Sequence, residues 1–260
     1  MILVFLPAYN EEIALERLVK KFDDEFKKDA LSYKIIVLDD GSKDSTVQVA
    51  EKLSKIYPLE LLKHPVNQGL GQTLIDGFKH IAKISKPEDI FVTMDCDDTH
   101  DPKYMQSAFA KINEGYDFVI LSRYQKGGGE EGLSMVRSVL SRGAGLFLKL
   151  FFPIKGVQEY SCGYRVIKAS EIKKAIDTFG DNFVKLPHMG FVVTPEILIK
   201  FRMLGSKICE VPFVLSYDKK PGVSKNKPFK TIAGYFALIW LNAFRALPKQ
   251  PAKISPTHKP

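Results

Sequence analysis

Met94-Asp95-Cys96-Asp97-Asp98-Thr99-His100-Asp101-Pro102 follows directly on the apolar run Ile90-Phe91-Val92-Thr93, and the two together read as a buried strand ending in an acidic tip. Residues two apart on an extended segment point to the same side, so Asp95 and Asp97 can converge on one hard divalent cation and on a ligand beneath it. Magnesium or manganese held in this way keeps positions for water and phosphate oxygens, which makes a phosphate-bearing substrate the expectation. Taken alone, a D-x-D pattern also fits a solvated acidic loop, and the remainder of the chain has to choose between them. Asp101 then offers an N-cap with Pro102 at the first helical position.

Outward from this tip, apolar runs at 2–6, 34–39, 59–63, 90–94 and 117–121 alternate with helical patterns near 11–28, 44–57, 71–84 and 102–113. Leu15, Leu18, Val19, Phe22 and Phe26 keep one face of the first helix; Leu74, Ile75, Phe78, Ile81 and Ala82 keep one face of the third. Strands alternating with helices of this length predict an α/β fold, a largely parallel sheet with helices on both faces. Such sheets bind ligands at the carboxyl ends of their strands. Four successive strand ends carry polar, glycine-rich or acidic turns: Pro7-Ala8-Tyr9-Asn10-Glu11-Glu12, Asp39-Asp40-Gly41-Ser42-Lys43-Asp44, Asn67-Gln68-Gly69-Leu70-Gly71 and the acidic tip. Individually, Asp40-Gly41-Ser42 could be a plain turn and Asn10 a plain helix cap. As a set they form one rim and read as a site.

In the second half, a long helical pattern at 133–152 sets Arg137, Ser141, Arg142 and Lys149 among Leu, Phe and Val. Residues 163–167 and 207–215 read as strands, 169–179 and 194–204 as helices, Lys219 to Lys227 as a basic loop and 229–247 as an apolar helix. A length of 260 residues suffices for one well-buried core with an appendage. The expected organisation is a catalytic domain at 1–228 with an acceptor- and membrane-side helix at 133–152, an apolar interfacial helix at 229–248, and a Pro/Lys-rich disordered tail at 249–260.

The net charge of +8 favours anionic partners. No nucleic-acid-binding motif accompanies it, and the basic residues concentrate beside the apolar helices of the second half, which suits a membrane surface and not a nucleic acid. Cys96, Cys162 and Cys209 show neither zinc spacing nor a C-x-x-C pair, as expected of a reducing compartment, and receive no chemistry. Met1 leads straight into Ile2 to Leu6 without a basic stretch, and Pro7 stops the run too early for a signal peptide, so a cytoplasmic location is expected.

Nine short segments stand in one order over about residues 2–225: the Pro7 to Glu12 turn, Asp39 to Asp44, Asn67-x-Gly69-x-Gly71, Met94 to Asp97, Ser122-Arg123-Tyr124, Arg137, Tyr160-Ser161-Cys162-Gly163-Tyr164-Arg165, Glu210-Val211-Pro212-Phe213 and Gly222-Val223-Ser224-Lys225. In this order the chain resembles the family 2 glycosyltransferases, whose fold is GT-A, and within them the dolichyl-phosphate mannosyltransferase and polyprenyl-phosphate glycosyltransferase branch. The resemblance implies that Pro7, Tyr9, Glu11 and Asp39 hold a nucleoside. It places Asp95 near the ribose and the metal, and Asp97 on the Mg2+ or Mn2+ that bridges the diphosphate. Arg123, Arg137 and Ser141 would bind an acceptor phosphate; Lys225, with Lys219 or Lys220, would close over the diphosphate. Arg137 and Ser141 are four apart and share a helix face, as a common oxyanion ligand would require; the alternative for Arg137 is a solvated arginine on an amphipathic helix. Three positions depart from the family pattern: Thr99 stands where Gln is common, Glu159 where Asp is usual, and Lys219 and Lys220 where many relatives have Arg, with its bidentate fork.

A hydroxyl acceptor needs a general base. The Q-x-x-R-W motif that commonly accompanies one is missing from the sequence, and Trp240 lies in the terminal apolar helix. A phosphate monoester is already anionic and needs only to be held and aimed. The expectation is inverting transfer from a nucleotide-sugar donor, GDP-mannose or a UDP-sugar, to a polyprenyl (dolichyl-type) phosphate, by an enzyme peripheral to the inner, cytoplasmic face of the membrane. Transfer to a hydroxyl, with Glu159 or Glu196 as base, is one alternative; a catalytically silent nucleotide-sugar-binding recruitment module is another. Thr231 to Leu247, roughly 17 residues, falls short of the ~20 that span a bilayer and is interrupted by Asn242 and Arg245. With Lys225, Lys227, Lys230, Lys249 and Lys253 flanking it, and Tyr235 and Trp240 within, it reads as an interfacial helix or else as a core or dimer helix. Phe147, Phe151 and Phe152 extend the membrane reading to 133–152.

Overall fold

A computed structural model describes residues 1–219 and 228–242. Its first strand, β1 (Ile2–Ala8), turns Leu3 and Phe5 to one core and Ile2, Val4 and Leu6 to the other. Apolar side chains on both sides of the pleat suit a strand at the middle of a sheet covered on both faces. There follow α1 (Glu12–Lys28), β2 (Tyr33–Asp39), α2 (Thr46–Leu53), β3 (Leu59–Lys63), α3 (Leu70–Ile84), β4 (Ile90–Thr93), α4 (Met105–Asn113), β5 (Phe118–Ser122), β6 (Gly129–Glu131), α5 (Met135–Phe151), β7 (Arg165–Lys168), α6 (Ala169–Phe179), α7 (Val193–Met203), β8 (Ile208–Pro212), β9 (Val214–Ser216) and α8 (Pro228–Asn242).

The main sheet has the order β3-β2-β1-β4-β7-β5-β8. β7 runs antiparallel to both neighbours, and the remaining pairs are parallel. Helices α1, α2 and α4 cover one face with Leu15, Leu18, Phe22, Ala50, Leu53 and Met105. The other face is covered by α3, α6 and α7, with smaller contributions from α5 (Leu148) and α8 (Tyr235, Leu238). Asp101 receives the backbone N–H of Lys103 at 3.1 Å and starts a 3-10 turn at Pro102–Tyr104, as the Asp-Pro pair predicts.

Two expectations change. The strand expected at 207–215 is two strands, because Phe213 turns inward, fully buried among the rings of His100, Tyr104 and Tyr164. Beyond it the chain leaves the main sheet as β9 and pairs in parallel with β6. The sequence Gly129-Glu130-Glu131 has no apolar residue to announce that partner. The helix expected at 44–57 ends at Leu53. Of the terminal helix, Pro228–Asn242 is seen; residues 243–247, the tail at 249–260, Lys220, Lys225 and Lys227 lie outside the described residues.

Candidate active site

The carboxyl ends of β1, β2 and β4 and the start of α3 enclose a cavity of about 580 Å³ whose lining includes Pro7, Tyr9, Glu11, Asp40, Asp95 and Asp97. Residues 67–70 form one wall, and Pro187, His188, Gly190 and Phe191 form the opposite one. Gly71 accounts for the last glycine of Asn67-x-Gly69-x-Gly71: a Cβ there would lie 2.0 Å from the Pro187 carbonyl oxygen, so only glycine lets the two walls meet. Gly69 takes the left-handed backbone (φ 89°) that opens α3.

Asn10 does not cap α1. It sits in the left-handed region (φ 53°), which Asn tolerates, and staples the first two turns together. Its backbone N–H donates to Ser42 Oγ at 2.9 Å, and its Oδ1 accepts from the Lys43 N–H at 2.8 Å. Glu11 N–H donates to Thr46 Oγ1 at 2.8 Å, and Glu12 N–H to Asp44 Oδ2 at 3.3 Å. Behind them Asp39 is buried. Its Oδ2 accepts the Ser42 N–H at 3.0 Å, whereas Oδ1 is buried with no donor among the described residues.

The acidic tip converges, though not by strand alternation. β4 ends at Thr93, and the carboxylates are brought together in the loop beyond it. Asp98 adopts φ 61°, a conformation that costs a non-glycine residue ~1 kcal/mol or more. Lys21 Nζ at 2.5 Å and Arg17 Nε at 3.6 Å hold its buried carboxylate there. Thr99 donates its hydroxyl (2.6 Å) and its N–H (3.3 Å) to Asp97 Oδ1, so it orients a carboxylate instead of standing in for a metal ligand. Asp95, Asp97 and His100 each offer one ligating atom within 4.8 Å of the others. His100 is the member that sequence reasoning missed, since its distance from Asp95 matches neither strand nor helix period; the histidine beside the D-x-D was the available signal. It is buried with its ring against Tyr164 and Phe213, and its Nε2 is 3.7 Å from Cys162 Sγ. Two carboxylates and an imidazole form a donor set that fits Mg2+ or Mn2+.

A second polar cluster surrounds Arg123. Its guanidinium donates to both oxygens of Glu159 (2.7 and 3.0 Å), to Glu130 Oε1 (2.9 Å), to Ser141 Oγ (3.2 Å) and to Ser161 Oγ (3.3 Å). Burial alone would weaken the guanidinium's hold on its proton, but Glu159 more than reverses that, and the arginine is held charged. Glu159 also accepts the N–H groups of Ser161 and Cys162, which wraps the Tyr160-Ser161-Cys162 segment around it. Arg123 and Ser141 are therefore brought together, with Tyr124 Oη donating to the same Ser141 Oγ at 3.0 Å. Arg137 goes elsewhere: it donates to Tyr217 Oη at 3.2 Å and lies 5.8 Å above that ring. Glu130 was not foreseen, because it lies on the short strand without apolar pattern. Glu196 is buried behind the 187–191 wall, accepting the N–H groups of Lys185 (2.9 Å) and Leu186 (3.1 Å); burial pushes its carboxyl up. Burial, with Glu159 nearby, pushes the Cys162 thiol up to about 12, which leaves it protonated and inert.

The model of the family described as glycosyl transferase family 2 matches residues 3–192. A dolichol-phosphate mannosyltransferase of Pyrococcus furiosus is 33% identical over 238 residues, covering 91% of this chain; the chain spans 62% of that relative's length. An uncharacterised protein of Methanocaldococcus jannaschii is 30% identical over 241 residues, covering 92% of this chain and 90% of that one. Among solved structures, glucosyl-3-phosphoglycerate synthase of Mycobacterium tuberculosis in complex with Mn2+, UDP and phosphoglyceric acid has a TM-score of 0.61 at 20% identity, over 92% of this chain and 78% of that one. The same enzyme with Mg2+ and UDP gives 0.60 at 21% identity, over 92% and 79%. That structural likeness carries the GT-A fold and nothing finer. With the family match extending over most of its length and the strand-end rim in place, the chain belongs to glycosyl transferase family 2.

Proposed function

We propose that this chain transfers a sugar from a nucleotide-sugar donor to a polyprenyl phosphate at a membrane surface, with Mg2+ or Mn2+ as cofactor. The observation that carries the reading is the convergence of Asp95, Asp97 and His100 beside a cavity lined by Pro7, Tyr9 and Glu11. Asp39 lies behind the lining residues, and its orphaned Oδ1 is an acceptor that a base N–H or a ribose hydroxyl reaching past them would satisfy, because a buried acceptor without a donor is costly. The structural neighbours hold UDP with Mn2+ or Mg2+, and the mannosyltransferase relative is named for a dolichol-phosphate reaction. GDP and UDP donors are separated by calorimetric titration of each nucleotide in manganese buffer.

Asp95, Asp97 and His100 would hold the cation, which when bound neutralises charge developing on the departing diphosphate. The chain's own part is to orient the nucleotide through Tyr9, Glu11 and Asp39, and to meet the acceptor phosphate with Arg137, whose exposed guanidinium rests on Tyr217, while Arg123, already spanning Glu159 and Glu130, orients the Ser141 hydroxyl. An acceptor phosphate oxygen then attacks the anomeric carbon from the face opposite the leaving diphosphate, and the C1–O bond breaks with inversion. Lys225, which lies outside the described residues, is assigned the diphosphate as the family pattern implies. Glu159 and Glu196, the two carboxylates considered as bases, are both engaged, one by Arg123 and the other by backbone N–H groups. This supports an acceptor that needs no base.

Among the described residues no helix is long and apolar enough to cross a membrane. Yet Met135, Val139, Leu146 and Leu150 on α5, and Ile232, Phe236 and Trp240 on α8, are exposed. Each set recurs at helical spacing, and Phe147 meets Phe236 ring to ring (5.4 Å), so the two stripes adjoin. Neither helix contains an acidic residue. An apolar surface bordered by Arg142 and Lys149 suits the interfacial plane of an anionic leaflet. The second reading, a soluble acceptor, is favoured by the structural neighbour that holds phosphoglyceric acid. Incubation of the protein with labelled donor, with and without polyprenyl phosphate in mixed micelles, separates the two: product in the lipid-free reaction would sink the lipid-acceptor reading.

A further inference from the structure

Behind the 67–70 wall lies a buried bridge that no step above uses. His64 directly follows β3, and its backbone N–H extends the sheet ladder to the Asp39 carbonyl at 2.8 Å. The side chain is 10% exposed. Its Nδ1 lies 2.8 Å from Asp40 Oδ1, at the end of β2, and its Nε2 lies 3.1 Å from Asp76 Oδ2, on α3. Asp40 in turn receives the N–H groups of Gln68 and Gly69, both at 2.8 Å, one on each oxygen; Asn67 Nδ2 donates to the Asp40 carbonyl at 3.1 Å. Gln72 donates to both oxygens of Asp76, at 3.1 and 3.0 Å. Asn67, Gln68, Gly69 and Asp40 all line the cavity, and His64 does not.

An ionised carboxylate only accepts, so a ring nitrogen that carries a hydrogen donates to the one it faces. The two ring nitrogens of His64 face one carboxylate each. We propose that His64 is a positioning residue for nucleotide binding: bridging Asp40 and Asp76, it holds Asp40 where that carboxylate captures the Gln68 and Gly69 N–H groups and so shapes the cavity wall. The inference rests on the cavity being the nucleotide site. A wall pinned at its base binds without first ordering its backbone, so loss of the pin raises the dissociation constant and the donor KM and spares the chemical step.

The test uses the full chain and two substitutions. His64→Gln keeps roughly the volume but has a single donor group at one end of the bridge; His64→Arg offers donors to both carboxylates. UDP and GDP are titrated calorimetrically with MnCl2 present, donor KM and kcat are measured, and thermal melting monitors folding. The expected result is a roughly tenfold weaker nucleotide affinity and higher donor KM for His64→Gln, as for loss of one charge-assisted hydrogen bond, with kcat within about twofold. His64→Arg should recover most of the affinity. Wild-type affinity in His64→Gln would overturn the role of His64 while leaving the nucleotide site intact; so would an equal fall in melting temperature in both variants without rescue by Arg. Absence of any nucleotide binding by the wild type would overturn the cavity assignment and the proposal with it. Asp76→Asn removes charge from the less buried end of the bridge, and an affinity change in the same direction as His64→Gln, but smaller, is expected there; an unchanged affinity would count against the bridge.

Discussion

Asp97 and Arg123 illustrate two kinds of buried charge with opposite consequences. Asp97, oriented by Thr99, faces the cavity beside Asp95 and His100. Its replacement in Asp97→Asn removes a charged ligand and little packing. Sugar transfer should fall by about 100-fold or more, as for loss of one preorganised electrostatic group, while the melting temperature barely moves; manganese titration of turnover and a thermal melt together check this. Arg123 is locked between Glu159 and Glu130. Arg123→Ala strands two buried carboxylates and should cost about 3–5 kcal/mol of stability, read by urea unfolding. Arg137→Ala, at an exposed guanidinium resting on Tyr217, should change stability by under about 0.5 kcal/mol and raise the KM for the phosphate acceptor. A stability loss in Arg137→Ala as large as that in Arg123→Ala would show that the two arginines are not divided in this way.

Helices α5 and α8 reverse the habit of surface helices. Each buries a narrow inward stripe, with Leu148 on one and Tyr235 and Leu238 on the other, and leaves a second apolar stripe bare. A helix that is apolar on both sides is normally enclosed; Leu146 at 72% and Trp240 at 76% exposure are not. Being exposed, both can be changed without touching the core. The double variant Leu146→Glu with Trp240→Glu should keep its fold by circular dichroism and bind anionic vesicles on the order of 100-fold more weakly, since each apolar side chain entering the interface contributes about 1.5 kcal/mol or more. Unchanged flotation with vesicles would remove the membrane from the account of this face. Helix α8 also packs against the far wall of the cavity, where a Cβ on Gly234 would meet Val192 Cγ2 at 2.4 Å and Met189 Cβ at 3.0 Å. The apolar face and the cavity are thus built on neighbouring elements.

Across the whole molecule, several carboxylates tie distant segments together and make acid the weak point. Burial by itself would raise Asp44, but the Thr46 hydroxyl, the Thr46 N–H and the Glu12 N–H outweigh it and leave the group below its usual 3.8. At Asp117 burial likewise pushes the carboxyl up, and Lys168 with the Lys207 N–H outweighs it and leaves the group lowered; at Asp23 burial is outweighed in the same way by Lys27 and Tyr33. A carboxyl lowered by folding contributes stability that is complete above its unfolded value and disappears as pH falls through the folded one. Urea midpoints should hold steady from pH 7 to about pH 5 and fall below about pH 4, with Asp44→Asn flattening that fall; a midpoint rising toward pH 3 would contradict the assignment. Much of this architecture can be read from local pattern. Period-two and period-3.6 apolar repeats report which faces are buried, so the sheet, its flanking helices and a rim holding Pro7, Tyr9, Glu11, Asp39, Asp95 and Asp97 follow from neighbours along the chain. Polar partnership is different, because a hydrogen bond depends on ångström placement of groups from elements far apart in sequence. The joining of His100 to Asp95 and Asp97, the enclosure of Arg123 by Glu130 and Glu159, the diversion of Arg137 to Tyr217 and the His64 bridge from Asp40 to Asp76 all arise only once strands take their register and helices dock. Burial is encoded by a residue's neighbours in the chain, whereas the partner of a buried charge is set by the packing of the completed fold.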